Sequence, residues 1–274
     1  MSVHHPFLHA RHGLRRLLVA LVTVVALPFL ALPSSAEAVA TPTTAAATQV
    51  TVLQLNICHS GINTGCFTGP DVITKAVQVI KDTQPQIVSV NEACSGDVGA
   101  LRNAVGADTA YAFAPARRPN GDAVGCTNGQ SYGNIILVAA SLAGPGTSAT
   151  GLHTAQDSGN ERRSWACLPA GTVAACTTHL SANDGNVALE QCRELMTRAA
   201  EYAADRPVVV SGDMNLRYLG WPNVQDCNRS GFYRKGDGSL QHVFASTDLS
   251  FVSTRVISMS GTTDHPAFLV TTSL

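Results

Sequence analysis

Aromatic residues are scarce, 5% of the 274 residues, and no cluster of them marks a surface built to dip into a bilayer. No G-x-S-x-G elbow is present, so acyl transfer through a serine has no foundation. No C-x-x-C pair exists either, which argues against a zinc site. No polybasic run occurs, so a polyanion has to be bound locally rather than by a global field. Internal repeats are missing, and no second long apolar run follows Leu32.

What is present begins with a leader. Arg11, Arg15 and Arg16 precede "LLVALVTVVALPFLAL" (Leu17 to Leu32), and "SSAEA" places small residues at Ala36 and Ala38. That pattern predicts a secretory signal peptide within residues 1–40, cut after Ala38 or Ala40. The rival is a retained anchor, but the run is short for a span and carries Pro28. "VATPTTAAATQ" then reads as a disordered Ala/Thr tail over residues 41–48, followed by one large domain over 49–274. His4, His5, His9 and His12 leave with the leader and have no metal role. Without Arg11, Arg15, Arg16 and Glu37, the 18 basic and 19 acidic residues become 15 and 18, a formal charge of −3. The expected product is an extracellular monomer with no membrane anchor and no stable protein partner.

All eight cysteines lie beyond the leader, and an even count in an exported chain argues for four disulfides. Many connectivities are open. "SWACLPAGTVAACTTHL" reads as two strands around a Gly171-Thr172 turn, which sets Cys167 opposite Cys176. A short loop favours Cys58 with Cys66, and Cys94–Cys126 and Cys192–Cys227 follow by elimination.

Strands and helices then order themselves into a mixed α/β pattern. "QVTVLQLNI" alternates and ends on Asn56, and "QIVSVNEAC" ends on Glu92. "YGNIILVAA" is a third strand, the hairpin's second arm ends on His179, and "PVVVSGDMN" ends on Asp213 and Asn215. "LQHVFAS", "LSFVSTRVIS" and "HPAFLVTTSL" close the chain. Two helices are expected. One is capped by Asp71, with Val72, Ala76, Val79 and Ile80 on one face. The other is capped by Asn186, with Leu189, Cys192, Leu195, Met196 and Ala199 inward. Helices on the outer faces of two packed sheets fit this order. Strand ends repeatedly finishing on amides and ionisable groups would line a polar cleft at one edge.

The residues at those ends have a common chemistry. Glu92, Asp213 and Asp264 are carboxylates, Asn56 and Asn215 amides, His179 and His265 imidazoles. Hard oxygen ligands with few committed carboxylates suit magnesium (Mg2+) or manganese, which take the rest of their shell from water and substrate phosphate. A second carboxylate can accept a proton from water, and histidines can donate to a phosphate as charge builds up. The set suits phosphoester hydrolysis.

"LQLNI", "VNEAC", "YGNIIL", "ERRSW", "TTHLSA", "VVVSGDMN", "QHVFAS" and "TTDHPAFLV" occur in an order that resembles the endonuclease/exonuclease/phosphatase superfamily, from Gln49 to Leu274. The superfamily includes pancreatic-type deoxyribonucleases, apurinic-site endonucleases, bacterial sphingomyelinases and inositol polyphosphate phosphatases. The resemblance implies a four-layer α/β-sandwich with its site at one edge of the sheets. It implies Glu92 as the chief metal ligand, with Asn56 beside it and Asp264 contributing. Asp213 would orient or deprotonate the attacking water, and Asn215 would hold Asp213 or the phosphate. His179 takes the form found in the deoxyribonuclease and sphingomyelinase branches, and His265 would bind and protonate at the phosphate. Tyr132, Asn134 and Arg163 match positions that contact substrate or shape the site.

One departure is visible. The family carries an aspartate that orients the C-terminal histidine, and here the aligned position is Gln241, whose carbonyl would accept from His265 without supplying charge. Asp248 is the alternative partner. The expected activity is a secreted metal-dependent nuclease on DNA with little sequence preference, RNA being the second candidate substrate, with "ARRP" (Arg117, Arg118) and "ERRS" (Arg162, Arg163) as local phosphate contacts. Alternatives are a sphingomyelinase-type phosphodiesterase, a phosphomonoesterase, or a binding module weakened catalytically by loss of the aspartate.

Overall fold

Alternation along β1 (Gln49–Asn56) sorts its side chains into two layers. Leu53 and Leu55 pack against Val72, Ala76, Val79 and Ile80 of α1 (Pro70–Thr83), while Val50 and Val52 face the opposite way, into the space between two sheets. The same sorting repeats in each central strand. The computed structural model describes residues 48–144 and 146–274. The expected signal peptide, and the expected tail apart from Thr48, lie outside the described residues.

The first sheet has the order β11 (Ser250–Ile257), β12 (Ala267–Ser273), β1, β2 (Ile87–Cys94), β4 (Tyr132–Val138), β3 (Ala110–Pro115). The second runs β5 (Ala149–Leu152), β6 (Ser164–Ala170), β7 (Val173–His179), β8 (Val208–Asp213), β10 (Gln241–Ser246), β9 (Phe232–Gly236). α1 and the shorter α2 (Asp97–Val105) cover the outside of the first sheet through Leu101 and the α1 face. α3 (Gly185–Tyr202) covers the outside of the second through Leu189, Leu195 and Met196, packed on Val208 and Val210. The result is the four-layer α/β-sandwich that the sequence implies.

Between the sheets the packing changes character along the strands. At one end Val52, Ile87, Ile136, Val138, Leu168, Val209, Val243 and Phe268 form a dry apolar layer. Two residues further along each strand the inward positions turn polar: Gln54, Ser89, Asn134, Ser164, Thr177, Ser211 and Gln241, all buried. The next step delivers Asn56, His179 and Asp213. The parallel pairs β1/β2 and β7/β8 bring these C-terminal ends to one edge.

The hairpin turns at Gly171-Thr172 and places Cys167 opposite Cys176. The disulfides are Cys58–Cys66, Cys94–Cys126, Cys167–Cys176 and Cys192–Cys227, the four expected pairs, and they suit an oxidising compartment. Among the described residues no helix is long and apolar enough to cross a membrane.

Both expected helix caps move. α1 starts after Gly69 with Pro70 at its first position and no side-chain cap, so Asp71 sits inside the first turn, where its charge still favours the helix dipole. α3 is capped by Asp184, whose carboxylate accepts from the N–H groups of Asn186 and Val187. α2 was not expected from the sequence. It has only nine residues, with Gly99 inside, too little periodic signal to stand out.

Candidate active site

Asp213 is fixed on every side. Its backbone N–H donates to the Asn91 side-chain oxygen at 2.8 Å, and its carboxylate accepts from the Asn215 N–H at 3.0 Å and from Asn56 Nδ2 at 3.1 Å. His265 Nε2 stands 3.5 Å from the same carboxylate. Asn215 adopts a left-handed backbone (φ 48°), the turn chemistry that lets its N–H reach back two residues. Its side-chain amide donates to the Leu180 carbonyl at 2.9 Å, so Asn215 holds Asp213 through the main chain and pins the end of β7 with its side chain.

Glu92 breaks the alternation of its strand. Ile87, Ser89 and Asn91 face the other sheet, so Glu92 belongs by period on the helix side. The pairing with β4 shifts register between Val90 and Ala93, and Glu92 takes φ 56°, an unusual value for a residue with a Cβ. This bulge re-aims the carboxylate into the cleft. Asn56 Nδ2 donates to Glu92 Oε1 at 2.9 Å, so a single amide bridges Glu92 and Asp213. Burial pushes the Glu92 pKa up, the Asn56 bond pulls it down, and the Asp213 charge raises it again.

A cavity of about 220 Å³ opens over these groups, lined by Glu92, Tyr132, Glu161, Arg163, His179, Asp213, Asn215 and His265, with Ser60, Ile62, Asn63 and Ala182 at its margins. Burial, reinforced by Arg163 and His265, drives the His179 pKa well below its usual value, so the ring is neutral at physiological pH. Its Nδ1 has no hydrogen-bond partner, and its Nε2 lies 4.0 Å from Glu92 Oε1. Arg163 is buried with Nε and Nη1 lacking hydrogen bonds, although Nη1 is 3.2 Å from a Glu161 carboxylate oxygen. Burial also raises the Glu161 pKa, which the Arg163 charge opposes. Burial pushes Tyr132 far above the ordinary phenol range, so its hydroxyl keeps its proton.

Two expected placements need correction. Asn134 does not line the cavity. Its amide accepts from Asn91 and donates to Ser164, so it ties the sheets together behind the site rather than contacting substrate. Asn56 stands beside Glu92 as expected: its amide oxygen accepts from the Cys58 N–H at 3.2 Å, and its nitrogen donates to both carboxylates. Gln241 does not touch His265. Its Oε1 accepts from Gln54 at 3.3 Å, and its Nε2 donates to the Pro266 carbonyl, holding the main chain next to His265. Asp248 is exposed at the far end of β10 and is no partner either. Asp264 sits at the rim, its side chain 55% exposed and 3.8 Å from His265 Nε2.

Two further residues, Asn91 and Glu161, belong to the site. Asn91 links Asp213, Gln54, Asn134 and the Thr178 carbonyl in one buried network. Its only sequence signal was its inward position on β2. Glu161 comes from a loop whose sequence carries no strand or helix pattern.

The donor set fits a divalent cation. Two carboxylates share one amide, and burial already disfavours the charge on Glu92, so a cation at Glu92 would relieve that conflict. Glu92 Oε1 is held by Asn56, which leaves Oε2 for a metal. Among the described residues, the tighter clusters Cys58/Cys66/Asp264 and His59/Cys94/Asp97 contain disulfide sulfurs and are not metal sites.

The model of the Endonuclease/Exonuclease/phosphatase family matches residues 54–265, well over half of the chain. The chain belongs to this family. Its enzymes are phosphoric ester hydrolases and are generally divalent-metal dependent. No curated relative matches the sequence. Among solved structures, an endonuclease/exonuclease/phosphatase family protein from Bacteroides thetaiotaomicron is 12% identical, covering 82% of this chain and 95% of its own, with a TM-score of 0.61. ANGEL2, a 2′,3′-cyclic phosphatase, is 12% identical over 82% of this chain and 95% of its own (TM-score 0.61). A humanized D. rerio TDP2 is 15% identical over 82% and 99% (TM-score 0.62). These likenesses bear on the fold.

Proposed function

We propose that this family member is a secreted, magnesium- or manganese-dependent phosphodiesterase that hydrolyses nucleic acid with little sequence preference. The observation that carries the reading is the convergence of Glu92, Asp213, His179, His265 and Arg163 on one cavity, each from a different strand end or loop. Glu92, with Asp264 at the rim, would hold the divalent ion, which when bound would supply Lewis-acid stabilisation of charge on the phosphoester.

The chain's own groups do the rest. Asp213 has both carboxylate oxygens oriented by N–H donors, so it can take a fixed hydrogen bond, and then a proton, from a water in the cavity. His179 is neutral and offers one N–H, a donor to phosphate that does not depend on protonation. Arg163 brings a guanidinium with unspent donors to the same space, suited to a phosphate oxygen. His265 sits at the mouth, placed by Gln241 through Pro266, where it can protonate a leaving oxygen.

A nucleic-acid substrate is favoured by where the two arginine pairs meet. Arg117 and Arg162 exchange backbone hydrogen bonds, which brings the two arginine pairs together, with Arg163 lining the cavity itself. The test is relaxation of supercoiled plasmid with magnesium or manganese, run beside RNA, sphingomyelin and a nucleotide monoester. Nicking that EDTA stops supports the reading. A wild-type protein inert on all four substrates with either ion overturns it and favours a binding module.

A further inference from the structure

Immediately after Asn215 the chain leaves the catalytic cavity and runs through "LRYLGWPN", a segment for which the hydrolytic chemistry has no use. Its side chains are unusually exposed for their types. Trp221 is 98% exposed, Leu219 78% and Tyr218 55%. The segment is nevertheless tied down by its own hydrogen bonds. Asn223 Oδ1 accepts from the Leu219 N–H, and the Arg217 carbonyl accepts from the N–H groups of Gly220 and Val224. The Cys192–Cys227 disulfide anchors its far end to α3.

Cations are interleaved with the rings. The Arg234 guanidinium lies 4.6 Å over the Tyr218 ring. Its Nη1 donates to His242 Nδ1 at 3.0 Å, and the His242 Nε2–H donates to the Leu216 carbonyl. Arg217 donates to Ser239 at 2.9 Å from the other side. Two hollows run between these groups. One, of about 220 Å³, is lined by Asn215, Arg217, Trp221 and Pro222, and so shares Asn215 with the catalytic cavity. The other, of about 320 Å³, is lined by Tyr218, Arg234, Lys235 and His242.

We infer that this strip binds an unpaired stretch of nucleic acid flanking the scissile phosphodiester, with bases stacked on Trp221 and Tyr218 and phosphates on Arg217 and Arg234. The inference rests on the proposed function for its direction. It identifies the substrate form as single-stranded or locally opened, because bases in an intact duplex have no free face for a ring. Arg234 over the Tyr218 ring, Arg217 beside it, and a hollow that shares Asn215 with the catalytic cavity favour a polyanionic strand leading to the site, and a lipid surface engaging the exposed Trp221 and Leu219 is the rival outcome that the vesicle probe reads. The held loop lowers the ordering cost of stacking, since Trp221 is already presented outward.

The test is fluorescence anisotropy of a labelled oligothymidylate with the intact protein in EDTA, so that binding is read without turnover. Tryptophan emission is followed in parallel, with Trp221→Phe separating Trp221 from the buried Trp165, and vesicles of phosphatidylcholine and phosphatidylglycerol serve as a second probe. The expected result is saturable binding with tryptophan quenching, weakened on the order of tenfold by Trp221→Ala and again by Arg234→Gln, with a weaker effect on duplex of the same length. Trp221→Phe should retain most of the affinity, which a merely structural role would not require. No oligonucleotide binding, equal binding by Trp221→Ala, or a tryptophan response to vesicles alone would overturn the inference. Hydrolysis of bis(p-nitrophenyl) phosphate by the wild type reports on the catalytic reading separately. Its absence with oligonucleotide binding intact would sink the phosphodiesterase and leave the strip standing.

Discussion

The layer between the two sheets has two halves built from the same strands, and they do opposite jobs. One half is aliphatic and dry, from Val52 and Ile87 to Val209 and Phe268. The other, one or two alternations further along, is a buried amide and hydroxyl network: Gln54, Ser89, Asn91, Asn134 and Thr177. The dry half supplies stability by removing apolar surface from water. The polar half gains little net stability from its hydrogen bonds, but each group left unpaired there would be costly, so the network fixes the strand ends in one arrangement. That fixed arrangement is what Asp213, Glu92 and His179 need.

If this division is right, substitutions in the two halves separate stability from activity. The largest effect is expected for Asp213→Ala, which should lower phosphodiester hydrolysis by roughly 10²–10⁴-fold in a plasmid assay. The protein should remain folded by circular dichroism. Phe268→Ala, in the dry half, should do the reverse. It should cost about 3–5 kcal/mol in denaturant unfolding, with turnover per folded molecule nearly unchanged. Asn91→Ala falls between and blurs the boundary. It strands the Asp213 N–H and the Asn134 oxygen, and should cost about 1–3 kcal/mol for each group left without a partner. Activity should fall too, because the end of β8 loosens.

The smallest expected effect concerns pH. Burial holds the imidazoles of His153, His179 and His242 below 6.5, His242 at about 4. In the unfolded chain they take up protons near 6.5, so their contribution is complete above that pH and is lost as pH falls below it. Glu92 and Glu161, raised above 4.5, act in the opposite sense, their contribution declining as pH rises through that region. Replacing His242 with Gln should therefore flatten the fall in Tm between pH 6.5 and 4 by roughly 2–4 °C per kcal/mol removed. An unchanged slope by scanning calorimetry would show that His242 is not held neutral.

The sequence made the polar edge readable because period-two alternation and strand ends are local properties. Asn56, His179 and Asp213 can be placed from their own strands, and the Cys167–Cys176 pair from the hairpin turn. What escaped depends on neighbours. The aim of Glu92 is set by a bulge in its pairing with β4, which no window along β2 reveals. Gln241 aligns with an orienting aspartate, yet its longer side chain reaches the Pro266 carbonyl and Gln54 instead of His265. Asn91 looked like one more inward residue, although it holds four others. The exposed tryptophan followed from a loop held by Asn223, and composition alone could not place it at the edge of the site.

The most direct measurement is plasmid hydrolysis against magnesium concentration for the wild type and for Glu92→Gln, paired with the Tm of both. Wild-type activity should rise saturably with magnesium, vanish in EDTA and return on adding magnesium or manganese. Glu92→Gln should lose that activity while melting at the same or a higher temperature, because the neutral amide removes a buried charge and, with it, the repulsion from Asp213. Activity that survives EDTA, or a Glu92→Gln protein as active as the wild type, would contradict the account.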